Sequence, residues 1–223
     1  MVTDVALGVE GAVREFKVYE ALFLLAIDAE GDFIASVKDT LESSLAAAVI
    51  MDLVLQHKIN LTEHRVVVND SLSTEDPILD NILFAMADMA RMRKLRFWIH
   101  TLVYRKIVGE TGHRLVEKNV LVRKKKHLHL VSPYCEQPET HATAKYYVIN
   151  HLREIVLAGS PPDPGDRVLL QLLCHNDMLN LVFTRGERKA ARTKIKKLIL
   201  DEGENLGNDL GKLVDDILTE IGR

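Results

Sequence analysis

The sequence predicts a mainly α-helical fold, a single globular bundle of helices decorated by short β-hairpins. Three observations carry this. Residues 40–57 are apolar on almost every helical face, the pattern of a helix surrounded by other helices. Period-two patterning belongs to two short runs, KINLTEHRVVVND and NVLVRKKKHLHLV, each sitting after a helical stretch. No change of composition along the 223 residues forces a boundary, so residues 16–223 are expected to form one domain behind a short tail over 1–15.

The elements follow in order. VYEALFLLAI, residues 18–27, is a dense apolar segment read as a buried helix and closed by the turn-like DAEGD. The helix over 40–57 has Ser43 and Ser44 near its start and gives way to a hairpin over KINLTEHRVVVND. STEDP, residues 73–77, is a loop and helix-start signal, with Pro77 acceptable in a first turn. Helices over 78–90 and 94–107 come next. A helix containing HRLVEK then turns tightly at Asn119 into two short strands joined by the basic run Arg123, Lys124, Lys125 and Lys126. This second helix-plus-hairpin unit repeats the pattern of the first, in which MDLVLQHK leads to KINLTEHRVVV. Helical patterning resumes over 142–157 and stops at GSPPDPGD, whose three prolines and two glycines cannot continue a helix. Helices over 167–183, 187–200 and about 209–221 complete the chain.

Charge narrows the function classes. The net charge of −3 excludes a generic polyanion binder, yet basic residues dominate from Arg91 to Lys126 and again from Arg185 to Lys197. Two cysteines give no disulfide framework, and MVTDVALGVEGAVREF has neither a basic n-region nor a long apolar core, so a cytoplasmic setting is expected. The most apolar run, Leu45 to Leu55, is too short to span a bilayer and contains Asp52, which makes any membrane contact peripheral.

Several collinear segments resemble the Golgi phosphoprotein 3 family, the phosphatidylinositol 4-phosphate-binding peripheral proteins of the Golgi and their prokaryotic relatives. They are VYEALFLLAID, AAAVIMDLVLQHKINL, TEDPILDNIL, LRFWIHTL, RLVEKNVL and ERKAARTKIKKL, spread from residue 18 to about 200 in the family's order. The resemblance implies a helical bundle with short hairpins; no enzymatic activity and no cofactor are expected. The family's phosphoinositide pocket uses a tryptophan, an arginine on the following buried helix and an RxxR pair before an LVEKGVL-type turn. Those positions fall here at Val37, at Ala46, and at Arg105 with Val108, so one arginine is kept with Lys106 beside it. Losing two guanidinium groups costs about 3 kcal/mol or more at 1.5–3 per charge-assisted hydrogen bond, which predicts weak binding without headgroup selectivity. The first seventeen residues hold only Arg14 and Lys17, so the coat recruitment of the Golgi members does not carry over. The chain is similar to a minimal, prokaryotic-type member.

The candidate lipid-binding residues are Arg105, Lys106, Lys38 and Arg114, Lys38 standing in for the lost pocket groups. Arg123, Lys124, Lys125 and Lys126 are assigned to membrane contact or to self-association through the hairpin over 119–134. The expected partner is an anionic phospholipid surface. A winged-helix nucleic-acid binder is the rival, and Glu110 and Glu117 on the helix before the second hairpin argue against it. A self-associating scaffold with no lipid role is the third reading. No metal site is expected: His127, His129, Cys135 and His141 match no standard zinc spacing, with Pro133 and Pro138 between them. Asp76 and Asp80 read as a helix-start charge and a surface residue. The stripe at Arg185, Arg188, Lys189, Arg192 and Lys196 reads as a solvated helix face, and no catalytic motif is present.

Overall fold

The computed structural model describes residues 16–28, 31–123, 134–136, 141–200, 217 and 219. The tail over 1–15, the basic run Lys124–Lys126, His127 and His129, and most of the helix expected over 209–221 lie outside the described residues. The fold is mainly α-helical, as the sequence predicts, with two short antiparallel hairpins among the described residues.

α1 (Val18–Ala26) has all nine residues buried and lies across α2 (Lys38–Leu55), whose middle is buried without interruption from Leu45 to Leu53. Every face of α2 is thus occupied, the arrangement its all-round apolar sequence requires. α3 (Pro77–Ala87) buries Ile78, Leu79, Ile82, Leu83 and Met86, one stripe at helical spacing. α4 (Leu95–Tyr104) buries Leu95, Trp98, Ile99 and Leu102. α5 (Ile107–Glu117), α6 (His141–Arg153), α7 (Pro164–His175) and α8 (Arg188–Leu200) complete the helical set described. The buried apolar side chains form one cluster running from Val18 to Ile217.

Two sequence expectations are corrected. The helix expected over 94–107 ends at Tyr104, because Lys106 takes a left-handed conformation with φ 59°. Continuing α4 would carry Lys106 onto the buried stripe four residues after Leu102; the break turns Lys106 outward and sends Ile107 into the core. The helix expected over 167–183 starts earlier, at Pro164, and stops at His175. Pro164 occupies the first turn, where proline loses no hydrogen bond, and Asp163 and Asp166 cap that turn reciprocally. β3 (Leu121–Arg123) pairs with β4 (Tyr134–Glu136), Arg123 opposite Tyr134, and the HLHLV segment expected in the second strand lies outside the described residues.

The repeated helix-plus-hairpin unit is present and has a specific geometry. α2 ends with Lys58 N–H donating to Leu53 O at 2.9 Å and His57 left-handed at φ 56°. α5 ends with Val120 N–H donating to Leu115 O at 2.9 Å and Asn119 left-handed at φ 58°. α7 repeats the joint with Met178 N–H on Leu173 O at 2.8 Å and Asp177 at φ 57°. This six-to-one bond over a left-handed residue satisfies a helix's last carbonyls, and His, Asn and Asp are the non-glycine residues that tolerate it best. A hairpin follows the first two joints. β1 (Ile59–Thr62) and β2 (Arg65–Val68) close through Glu63 and His64, both at positive φ, the two-residue turn whose twist suits a hairpin. A short helical turn, Leu179–Leu181, follows the third.

Candidate functional site

Four elements meet around a set of buried charges. Asp52, inside α2, has no cationic side chain on it among the described residues; its two oxygens accept the Val18 and Tyr19 backbone N–H groups at 3.0 and 3.1 Å. α1 lacks a Ser, Thr, Asp or Asn before its first turn, and Asp52 supplies that cap from a neighbouring helix. Burial holds the Asp52 carboxyl up at about 7, against the opposing pull of those two N–H bonds and of Lys17. Glu20, also fully buried, accepts the Lys17 N–H at 3.1 Å and the Lys118 ammonium at 2.8 Å.

Asp76 completes the set. One oxygen caps α3 by accepting from Ile78 and Leu79 N–H at 3.0 and 3.2 Å; the other accepts the Tyr19 hydroxyl at 2.9 Å. Burial and the surrounding carboxylates push the Tyr19 phenol well above its usual range, so it remains a hydrogen-bond donor. Asp80, by contrast, accepts from Ser73 Oγ, Thr74 N–H and Thr74 Oγ at 2.6 to 2.7 Å, tying the STEDP loop down. Asp76 and Asp80 are thus both committed to the start of α3: Asp76 is the expected helix-start charge, and Asp80, expected on the surface, is half-buried.

This cluster claims one of the expected lipid ligands. The Arg114 guanidinium stands 3.7 Å from Asp76 and 3.5 Å from Glu117, with the side chain 22% exposed. Arg105 and Lys106 behave differently. They form the exposed corner between α4 and α5, next to Tyr104, which is 88% exposed. Lys38 is the exposed first residue of α2. Among the described residues no hydrogen bond or ion pair of its side chain joins Lys38 to the corner, and no carboxylate pairs with Arg105 or Lys106. Val37 and Ala46 are fully buried apolar residues, and Val108 packs against the core. The positions that the family resemblance assigns to a pocket's tryptophan and to two of its arginines are thus occupied by apolar side chains packed in or against the core.

Arg123 lies in β3. On α8, Arg192 pairs with Asp177 and donates to Cys174 O, while Arg188, Lys189 and Lys196 are exposed. Among the described residues no group of three or more His, Cys, Asp or Glu side chains is placed to hold a metal ion. No described helix is long and apolar enough to cross a membrane. Sequence reasoning does not single out Tyr19, Glu20 or Asp52 as a linked set; the available signal is an acid inside each of the two most apolar segments, a position that requires a partner.

No curated protein matches the chain. The family described as Golgi phosphoprotein 3 (GPP34) matches residues 18–217, from the first residue of α1 past the end of α8. That span takes in both helix-plus-hairpin units, the capped start of α3 and the α4–α5 corner, and the chain belongs to the Golgi phosphoprotein 3 family.

Proposed function

We propose that the protein is a non-enzymatic, peripheral membrane protein that binds anionic phospholipid headgroups from the cytoplasmic side, with Arg105 and Lys106 as the principal contacts and Lys38 as an accessory one. The observation that carries the reading is the α4–α5 corner: two adjacent exposed cations without carboxylate partners among the described residues, at the position where the family resemblance puts a headgroup arginine. Neighbouring cations on the same chain, Arg114 and Lys118, are paired with buried acids; the corner pair is open to phosphate. Val37 and Ala46 offer a headgroup neither a ring nor a guanidinium, which favours recognition of charge over recognition of one inositol phosphate. Binding of this kind is steeply salt-dependent, since a Debye length is about 10 Å at 0.1 M salt.

Liposome co-sedimentation tests it, with neutral, phosphatidylglycerol-containing and phosphatidylinositol 4-phosphate-containing vesicles at two salt concentrations. The expected result is equal, salt-sensitive binding to both anionic types, weakened about 25-fold in the Arg105→Ala/Lys106→Ala double variant at roughly 1 kcal/mol per cation. Absence of binding to every anionic vesicle removes the lipid reading and leaves self-association as the working function.

A further inference from the structure

We infer that the α3–α4 connection and the outer face of α4 form a surface that inserts into the interfacial region of an anionic bilayer, with apolar side chains entering the headgroup layer and cations meeting its phosphates. The inference rests on the lipid-binding reading above and assigns its apolar anchor, which the cationic corner alone does not supply.

Two independent distributions coincide here. Seven large apolar side chains stand exposed among the described residues, and five of them, Phe84, Met89, Met92, Phe97 and Tyr104, fall within one stretch of 21 residues. From Met89 to Gly109 the chain contains no Asp or Glu and six Lys or Arg: Arg91, Arg93, Lys94, Arg96, Arg105 and Lys106. Exposed apolar groups scattered singly mean little, but concentrated in one stretch of chain and interleaved with cations they mark an interaction surface. Alternating apolar and basic groups suit a headgroup layer, where aromatic rings and methionines reach the acyl boundary and long basic stems extend to phosphate.

The geometry presents these groups together. On α4 the exposed side chains Arg96, Phe97, His100 and Tyr104 follow one helical face, opposite the buried Leu95, Trp98, Ile99 and Leu102. Arg93 lies 5.2 Å from the Phe97 ring centroid, and Arg96 Nε is 3.2 Å from His100 Nε2. Among the described residues none of the six cations is paired with a carboxylate. The exposed acids Asp88 and Glu110 bound the stretch at its two ends, and Glu63 lies at the β1–β2 turn.

The backbone carrying this surface is fixed. Leu95 N–H donates to His64 O at 2.8 Å, Val66 N–H to Arg93 O at 3.0 Å, and Arg65 Nη1 to Met92 O at 3.1 Å. The stretch Met92–Leu95 is therefore docked on the edge of the β1–β2 hairpin, with Arg65 bridged to Lys94. Holding Met92 and Phe97 outward on a braced backbone lowers the ordering cost of inserting them. A second copy of this chain would carry the same basic field and repel this one, whereas an anionic bilayer complements both the charge and the apolar groups.

The test uses the full chain with phosphatidylcholine vesicles containing phosphatidylglycerol. Met92→Ser/Phe97→Ser keeps all six cations and is expected to lower partitioning at least tenfold, through lost burial of apolar surface. A control pair on α8, Lys189→Ala/Lys196→Ala, is expected to leave partitioning unchanged. Because a folding defect would also lower partitioning, a gain-of-signal probe accompanies it: the indole of Met92→Trp is expected to shift to the blue and to be quenched by brominated acyl chains on vesicle addition. Wild-type binding with an unshifted, unquenched Met92→Trp indole overturns the insertion surface while leaving the corner reading intact. Absence of wild-type binding altogether removes the corner reading and this one together. A change of sedimentation coefficient in Met92→Ser/Phe97→Ser with no change in vesicle binding assigns the surface to self-association and overturns the proposal.

Discussion

Arg114 and Lys118 lie within a few turns of Arg105 and Lys106, yet the two pairs do opposite things. The first pair points inward from α5 to Asp76 and Glu20, carboxylates that are themselves buried. The second sits at the corner before α5, exposed and without carboxylate partners among the described residues. The amino-acid types are the same; what differs is the supply of acids. Asp76 and Glu20 are held in place by α3 and α1, and any cation facing them is committed to structure. Between Met89 and Gly109 no acid exists to commit one. A basic residue is available to an outside anion when the fold has not already given it a carboxylate.

Three changes would break or sharpen that contrast. The largest effect is expected from Asp76→Ala, which uncaps α3, takes the 2.9 Å acceptor from the Tyr19 hydroxyl and removes the buried carboxylate beside the Arg114 guanidinium. A loss of about 3–5 kcal/mol in urea unfolding is expected, typical of breaking a buried charge pair from one side. A loss below about 1 kcal/mol, the ordinary worth of a surface ion pair, would mean the cluster is not structural and would dissolve the comparison.

Asp52 gives a smaller, pH-shaped effect. Its carboxyl titrates at about 7 in the fold against 3.8 for the free group, so the folded state holds the proton more tightly than the unfolded one. The stability contributed by the protonated form is complete below pH 4 and is lost as pH rises through about 7. Asp52→Asn removes that dependence. The variant should therefore gain on wild type by on the order of 2–4 kcal/mol between about pH 4 and 8, because each tenfold difference in proton affinity is worth about 1.4 kcal/mol. Parallel unfolding free energies across that range would show Asp52 to be ionised throughout.

The smallest effect on stability belongs to the corner. Arg105→Ala/Lys106→Ala should change the unfolding free energy by no more than about 0.5 kcal/mol, the range for surface residues without partners. A thermal midpoint well below wild type would place the corner inside the structural network and end its use as the contrasting case.

The helices are legible in the sequence because their apolar spacing is a local property: α1, α2, α3 and α8 lie close to where periodicity puts them. The break between α4 and α5 is not, since it depends on Ile107 finding the core and Lys106 avoiding it, a tertiary fact. β4 escapes for a related reason. Three residues are too few to show a period-two alternation, so the pairing of Tyr134–Glu136 with β3 is visible only in the fold. Of the candidate site, Arg105, Lys106 and Lys38 are exposed as their sequence context implies. Arg114 is not separable from them by sequence, because nothing in RLVEK tells that a carboxylate 38 positions earlier, Asp76, approaches it. The apolar partners of the corner, Met92 and Phe97, are equally hidden, since which apolar residues stay in water is decided by packing and not by sequence spacing.

The joints at His57, Asn119 and Asp177 have a consequence for the chain's capacity to change. Two of them launch a hairpin and the third a short helical turn, so the bundle's path is set by the joint and not by what protrudes from it. Lengthening a surface loop costs only about 0.6 kcal/mol per doubling of its length. Sequence added after a joint is therefore expected to leave the helix end unchanged, because the six-to-one bond and the left-handed residue both lie before the segment that protrudes.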